Sequence, residues 1–194
     1  MTQKPEDLLK TNKNILECFC SIQGEGIHIG IPSIFIRFGG CNLECSYCDT
    51  KYSWNEEGKY SINNAIKFIS DNPKYQHVVI TGGEPLLYQD DLTTLVGEIG
   101  DKLATIETNG TLKPNGLLVS FMYHNLWSVS PKLHLWENTP LLKQIVGWNA
   151  FENSQFKFVI NDLVKDMEKI KFLVNTQTID KQIIIQPDGN RKDY

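Results

Sequence analysis

What the sequence lacks narrows its function first. No apolar run approaches the length of a membrane span, and Met1–Asn14 has no apolar core of the kind a secretion signal carries. That segment reads instead as a polar N-terminal arm. The formal net charge is −4, so neither a phosphate-binding surface nor a nucleic-acid partner is expected. No low-complexity tract, linker or internal repeat breaks the chain, which argues for one domain over residues 1–194. His28, His77, His124 and His134 show no metal-ligand spacing. The cysteines number five, an odd count that suits a reducing cytoplasm better than a disulfide framework.

What is present is mostly ordinary, with 41% hydrophobic and 22% charged residues. The exception is Cys41-Asn42-Leu43-Glu44-Cys45-Ser46-Tyr47-Cys48, followed by Asp49 and Thr50. A short loop with the spacing C-x3-C-x-aromatic-C can turn three thiolates toward one point, as an iron–sulfur cube requires. A closed zinc site would want a fourth ligand, usually from a second Cys or His pair, and none follows at the usual distance. Three ligands read better as a [4Fe-4S] cluster with one iron left open.

This spacing resembles the signature of radical S-adenosylmethionine (SAM) enzymes, in which the open iron takes the amino and carboxylate groups of SAM. Ser21-Ile22-Gln23-Gly24-Glu25-Gly26 and Cys48-Asp49-Thr50 narrow the likeness to the 7-carboxy-7-deazaguanine synthases of the queuosine and archaeosine pathways. It runs from about Ile15 to Asn190 and is densest between Ser21 and Thr50. Those proteins usually continue with a further helix and tail, so the C-terminal end at Tyr194 reads as short.

The rest of the chain alternates short apolar strands with amphipathic helices. Strands are expected at Ile15–Ser21, Ser33–Phe38, His77–Thr81, Leu103–Thr108, Leu126–Ser130, Ser154–Ile160 and Gln182–Gln186. Lys51–Tyr60 reads as a loop or flap. One helix should start at Ser61 and bury Ile62, Ala65, Ile66 and Ile69. A second should bury Leu92, Leu95, Val96 and Ile99, and a third, from Thr139-Pro140, Leu141, Leu142, Ile145 and Val146. A fourth, capped by Asn161, should carry Leu163, Val164, Met167, Ile170 and Val174 inward.

Such alternation predicts an α/β fold with a mostly parallel sheet. Ligands bind beyond the C-terminal ends of such strands, so the cysteine loop, the Gly82 turn, the Glu107 turn, Ser130–Lys132 and the Gln186 turn should share one rim. A full eight-unit barrel needs about 250 residues, so this one should be incomplete and open. The resemblance implies the same: an abridged radical-SAM partial TIM barrel, usually a homodimer.

As the resemblance implies, Cys41, Cys45 and Cys48 hold the cluster. Tyr47, Cys48, Asp49, Gly83, Glu84, Ser130, Lys132 and Gln186 match positions that meet SAM. For Ser130, Lys132 and Gln186 an ordinary strand-end turn is the alternative. Ile22, Gln23, Gly24, Glu25, Arg37 and Thr81 match positions that hold a pterin, whose amide edge wants amide or carboxylate partners and whose carboxylate wants a guanidinium fork. A surface salt bridge is the other reading of Arg37. Thr50 matches a position that meets Mg2+, with a loop-capping hydroxyl as its alternative. Cys18 and Cys20, on one face of the first strand, either extend the metal site or are buried small residues.

The reaction so implied converts 6-carboxy-5,6,7,8-tetrahydropterin to 7-carboxy-7-deazaguanine with loss of ammonia. SAM acts catalytically, and a flavodoxin or ferredoxin supplies the electron. Two rivals remain. A glycyl-radical-enzyme activating protein shares the cysteine spacing but not usually the Gln-Gly-Glu-Gly segment. A non-catalytic iron–sulfur carrier would have no need of the Gly82-Gly83-Glu84-Pro85 turn.

Overall fold

The computed structural model describes residues 13–136 and 140–189. The arm over residues 1–12, Thr139, Asn190 and the end at Tyr194 lie outside the described residues. Seven strands form one sheet in sequence order. They are β1 (Ile15–Ile22), β2 (Pro32–Phe38), β3 (His77–Gly82), β4 (Leu103–Thr108), β5 (Leu126–Val129), β6 (Ser154–Ile160) and β7 (Gln182–Pro187). β1 pairs antiparallel with β2, and every later pair is parallel. The connections carry α1 (Ile62–Asp71), α2 (Gln89–Glu98), α3 (Gly116–Phe121), α4 (Pro140–Asn149) and α5 (Leu163–Asn175). Among the described residues β1 and β7 do not pair, so the sheet is an open partial barrel, as expected.

Strand alternation separates two unlike faces. The outer face presents Ile34, Ile36, Phe38, Val78, Ile80, Ile106, Trp127, Val129, Phe156 and Phe158 to the helices. They form one buried cluster with Ala65, Ile69, Leu92, Leu95, Leu118, Ile145, Ile170 and Leu173. The inner face is mixed, with Phe19, Phe35, Val79 and Val159 among its polar side chains. Its lower layer, near the strand starts, is Ser33, His77, Thr105, Ser128 and Gln155, each at most 3% exposed. Nearer the C-terminal ends of the strands stand Arg37, Thr81, Glu107, Ser130 and Lys157, which line a cavity.

Several local expectations need correction. The short helix α3 was not expected; Asn115 caps it, accepting the Leu118 amide at 2.8 Å, and Leu118 is its buried anchor. Asp162, not Asn161, caps α5 by accepting the Lys165 amide at 3.0 Å. α5 buries the stripe Asp166, Ile170 and Leu173, which leaves Leu163, Val164 and Val174 exposed. Asp166 sits in that stripe because its carboxylate accepts the amides of Asn161 and Asp162, both at 2.9 Å. Val146 on α4 likewise faces outward. Within Lys51–Tyr60 a 3-10 turn forms at Lys51–Trp54. Cys18 and Cys20 pack against the outer cluster, while Phe19 and Ser21 between and beside them line the cavity.

Phe156→Ala removes a fully buried ring from the centre of the outer cluster. It should lower unfolding stability by about 3–5 kcal/mol, read from urea denaturation.

Candidate active site

A cavity of about 620 Å³ opens at the C-terminal ends of the strands. Each turn expected on the rim contributes to its lining, from the cysteine loop to the residues after β7. Cys41, Cys45 and Cys48 all face it. So do Tyr47, Asp49, Thr50, Gly83, Ser130, Lys132 and Gln186, together with Ile22, Gln23, Gly24, Glu25, Arg37 and Thr81. Of the residues matched to cluster, SAM, pterin or Mg2+ positions, only Glu84 is absent from the lining; Cys18 and Cys20 lie on the outer face.

Glu84 lies behind the wall, with no exposed surface. Its Oε1 accepts the Leu86 amide at 3.0 Å and the Thr108 hydroxyl at 2.8 Å, and its Oε2 accepts the Asn109 amide at 2.7 Å. Its own amide donates to the Gly40 carbonyl at 2.8 Å. One residue thereby ties its own turn, the turn after β4 and the start of the cysteine loop. Burial pushes its carboxyl pKa up, and the donors from Asn109, Leu86 and Thr108 pull against that.

The two glycines before it permit the approach. Gly82 has φ +142°, a conformation that side-chain-bearing residues rarely adopt. A Cβ on Gly83 would run into the Gly40 carbonyl and come within 3.1 Å of the Cys41 Cβ. From the other side, Asn109 Nδ2 donates to Asn42 Oδ1 at 2.9 Å, and Asn42 Nδ2 to the Thr111 hydroxyl at 2.8 Å. The start of the loop, Gly40 to Asn42, is thus held from two sides.

Burial raises the thiol pKa of Cys41 and of Cys45, while the Lys132 ammonium pulls both down. Both thiols must give up protons to bind iron. The Thr50 amide points at Cys48 Sγ from 3.4 Å, a contact of the kind that tunes cluster potential. Among the described residues no three His, Cys, Asp or Glu side chains converge on a single-ion position. Three soft thiols on one wall suit a four-iron cube in which three irons each take one thiolate and the fourth stays open.

The opposite wall is a charged and amide network. Arg37 Nε donates to Glu17 Oε2 at 2.7 Å, so the ion pair weighed for Arg37 does form, with the Arg37 side chain 17% exposed inside the cavity. Glu107 accepts Gln23 Nε2 at 3.1 Å and the Thr81 hydroxyl at 2.8 Å. Lys157 forms an ion pair with Glu25, whose other oxygen accepts Gln186 Nε2 at 2.8 Å. Burial would lower the Lys157 pKa, but the charges of Glu107 and Glu25 hold it above the ordinary lysine value. Lys132 Nζ donates to Ser130 Oγ at 3.1 Å, and the Thr50 hydroxyl to Asp49 at 2.5 Å.

Sequence reasoning placed the Glu107 turn on the rim without giving Glu107 a role, and it passed over Lys157. The signal for both was strand alternation. Each is a charged residue in an otherwise apolar strand, on the face that also carries Thr105 or Gln155.

Glu84→Gln replaces one acceptor oxygen with an amide NH2 group that faces donors. Stability should fall by about 2–3 kcal/mol and reconstituted iron content should drop with it. Unaltered stability and iron with weakened SAM binding would make Glu84 a cofactor contact instead.

A family profile described as the Radical SAM superfamily matches residues 35–152. The 7-carboxy-7-deazaguanine synthase of Pyrobaculum aerophilum is 34% identical over 167 residues, covering 82% of this chain and 72% of that protein. Its namesake from Rhodopirellula baltica is 32% identical over 212 residues, covering 96% and 78%. The crystal structure of QueE from Escherichia coli superimposes with a TM-score of 0.69 at 32% identity, covering 90% of this chain and 84% of that one. With a cysteine-lined cavity at the mouth of an open α/β barrel, and likeness spread over most of its length, the chain belongs to the 7-carboxy-7-deazaguanine synthase family of the radical SAM superfamily.

Proposed function

We propose that this chain catalyses the ring contraction of 6-carboxy-5,6,7,8-tetrahydropterin to 7-carboxy-7-deazaguanine, with release of ammonia, in 7-deazapurine biosynthesis. The observation that carries the reading is that one cavity joins the three-thiol loop to a wall bearing Arg37, Gln23, Thr81 and Glu107. That wall matches a flat, carboxylated, amide-edged ring.

Cys41, Cys45 and Cys48 would hold a [4Fe-4S] cluster, and Tyr47, Asp49, Gly83, Ser130 and Lys132 stand where SAM would lie against it. When bound, these groups supply a 5′-deoxyadenosyl radical that takes a hydrogen from the substrate and returns it after ring contraction. The protein's own part is orientation and charge. Arg37 spends Nε on Glu17 and keeps its terminal nitrogens for the pterin carboxylate. Gln23, Thr81 and Glu107, already bonded to one another, offer donors and acceptors to the ring's amide edge. Ile22, Gly24 and Glu25 line the cavity beside them.

Mg2+ fits the adjacent oxygens of Thr50 and Asp49. It takes hard oxygen ligands, and one or two protein groups with substrate oxygens and water suffice. A flavodoxin or ferredoxin would deliver the electron, and the active form would be a homodimer in the cytoplasm. The described cysteines are all free, as a reducing compartment allows, and no described helix is long and apolar enough to cross a membrane.

Anaerobically reconstituted protein, given reductant, SAM, Mg2+ and the carboxytetrahydropterin, should yield the deazaguanine by mass. Its absence with a full cluster would refute the function. In the same assay Arg37→Ala should weaken substrate binding by about 2–4 kcal/mol while slow uncoupled SAM cleavage survives. Equal loss of SAM cleavage and turnover would remove Arg37 from the substrate site.

Thr50→Ala should raise the Mg2+ concentration needed for turnover, and Thr50→Ser should largely preserve the wild-type requirement. Superimposable Mg2+ titrations for wild type and Thr50→Ala would leave the hydroxyl a structural one.

A further inference from the structure

Beneath the cavity the lower polar layer touches a single loop, residues 23–31, which links β1 to β2. The loop's upper end carries Gln23 and Glu25 into the cavity. Its lower end dips to the strand starts. There the Ile27 amide donates to Gln155 Oε1 at 3.0 Å, and His28 Nδ1 lies 3.0 Å from the Thr105 hydroxyl. Within this layer Gln155 Nε2 donates to Ser128 Oγ at 2.9 Å, and a second series runs from Thr105 Oγ1 to His77 Nε2 at 2.8 Å, His77 Nδ1 to Ser33 Oγ at 2.7 Å, and Ser33 Oγ to the Ile31 carbonyl at 2.8 Å. His28 and His77 also meet edge to face, with ring centroids 4.8 Å apart. The chain of contacts begins at His28 and ends at Ile31, both on the same loop.

Counting protons gives this chain a direction. A hydroxyl has one proton to donate. Ser33 donates its proton to the Ile31 carbonyl, so Ser33 Oγ must accept from His77 Nδ1–H. Burial, with His28 nearby, pushes the His77 pKa down to about 4, so the ring is neutral and its Nε2 is bare. Nε2 therefore accepts the Thr105 proton, and Thr105 Oγ1 is left to accept from His28 Nδ1–H. Every donor in the series meets an acceptor, and one neutral tautomer of His77 is selected. Replacing any member leaves a buried neighbour unpaired.

We propose that His77, acting through Thr105 and His28 above it and Ser33 below it, is a positioning residue that holds the 23–31 loop in register and so sets the affinity of the cavity for its substrate. The loop's internal bonds support this coupling. Gly30 donates to the Gln23 carbonyl at 2.7 Å and the Gln23 amide to the Ile31 carbonyl at 2.9 Å, so the Ile31 end and the Gln23 end move together. Gln23 in turn reaches Glu107. The relay is thus three hydrogen bonds from the cavity wall. The substrate half of this inference rests on the function proposed above; the loop half does not.

The test uses reconstituted holoenzyme and two readouts. Thr105→Val keeps the shape and deletes the hydroxyl, His28→Ala deletes the loop end of the relay, and Thr105→Ser restores the hydroxyl. Hydrogen-exchange mass spectrometry should show peptides spanning residues 22–31 exchanging about tenfold faster in Thr105→Val and in His28→Ala, with Thr105→Ser close to wild type. The double variant should be no faster than either alone, because both cut one chain. KM for the pterin should rise about tenfold in the same two variants, with kcat changed far less and iron content unchanged. Folded variants with wild-type loop exchange would overturn the proposal, and His28→Ala decides if Thr105→Val does not fold. Faster exchange with unchanged KM would overturn the substrate half. A wild type that leaves the pterin unconverted refutes the proposed function instead, and loop exchange still decides whether the relay exists.

Discussion

Burying a carboxylate costs several kcal/mol unless its oxygens find donors, and Glu84 is buried without any exposed surface. Its three donors come from two different turns, and its amide reaches a third segment at Gly40. The geometry of the cysteine loop follows from that knot. If the turn after β3 shifted, the carboxylate would lose Asn109 and Thr108, and Gly40 would lose its donor at the point where the chain enters Cys41. The glycine pair serves the same contact, because the knot closes only where backbone meets backbone without a Cβ between them. A rim built this way fixes the point at which the chain enters the three-thiol loop.

The polar side chains of the inner face are the second consequence of an open barrel. In a closed eight-stranded barrel, layers of branched apolar side chains fill the interior. Here six parallel strands and one antiparallel strand leave room that such side chains cannot fill, and a ligand must. The upper layer is left for that ligand, while the lower layer is closed by the 23–31 loop and satisfied internally. Among the described residues no buried side-chain nitrogen or oxygen lacks a partner. A fully paired polar floor is stiff, since each group that moves strands another.

Much of this was legible in the sequence because the signals were local. The cysteine spacing, the Gly82-Gly83 turn and the strand–helix alternation each need only a few consecutive residues, and the open parallel barrel follows from them. The misreadings share the opposite cause. Leu163, Val164 and Val174 looked like a helix face, but α5 is rotated so that Asp166 can cap the preceding turn, a contact invisible to a pattern that treats charge as exposed. For Glu84, matched to a SAM position by its rim motif, the fold adds what the motif could not show, Thr108 and Asn109 bonded to its carboxylate. His77 was given no role, because its partners Ser33 and Thr105 lie 44 and 28 residues away and are joined only by strand pairing.

The gap between the two end strands limits how the cavity's charged groups can be used. A sheet with unpaired edges needs them covered, and here part of that task falls to side chains. Glu25, from the loop after β1, bridges to Lys157 on β6 and Gln186 on β7. Burial would raise the Glu25 carboxyl pKa, but the charge and hydrogen bond of Lys157, with Gln186, hold it below the ordinary carboxylate value. A ligand that took this carboxylate would therefore have to break an ion pair and open the seam as well. Gln186 is bound by the same argument, since it cannot turn to SAM without releasing Glu25. The economical arrangement leaves Glu25 and Gln186 as the clasp across the open side of the barrel. On the function proposed above, ring recognition would then fall to Glu107 and to Gln23 and Thr81, each hydrogen-bonded to it.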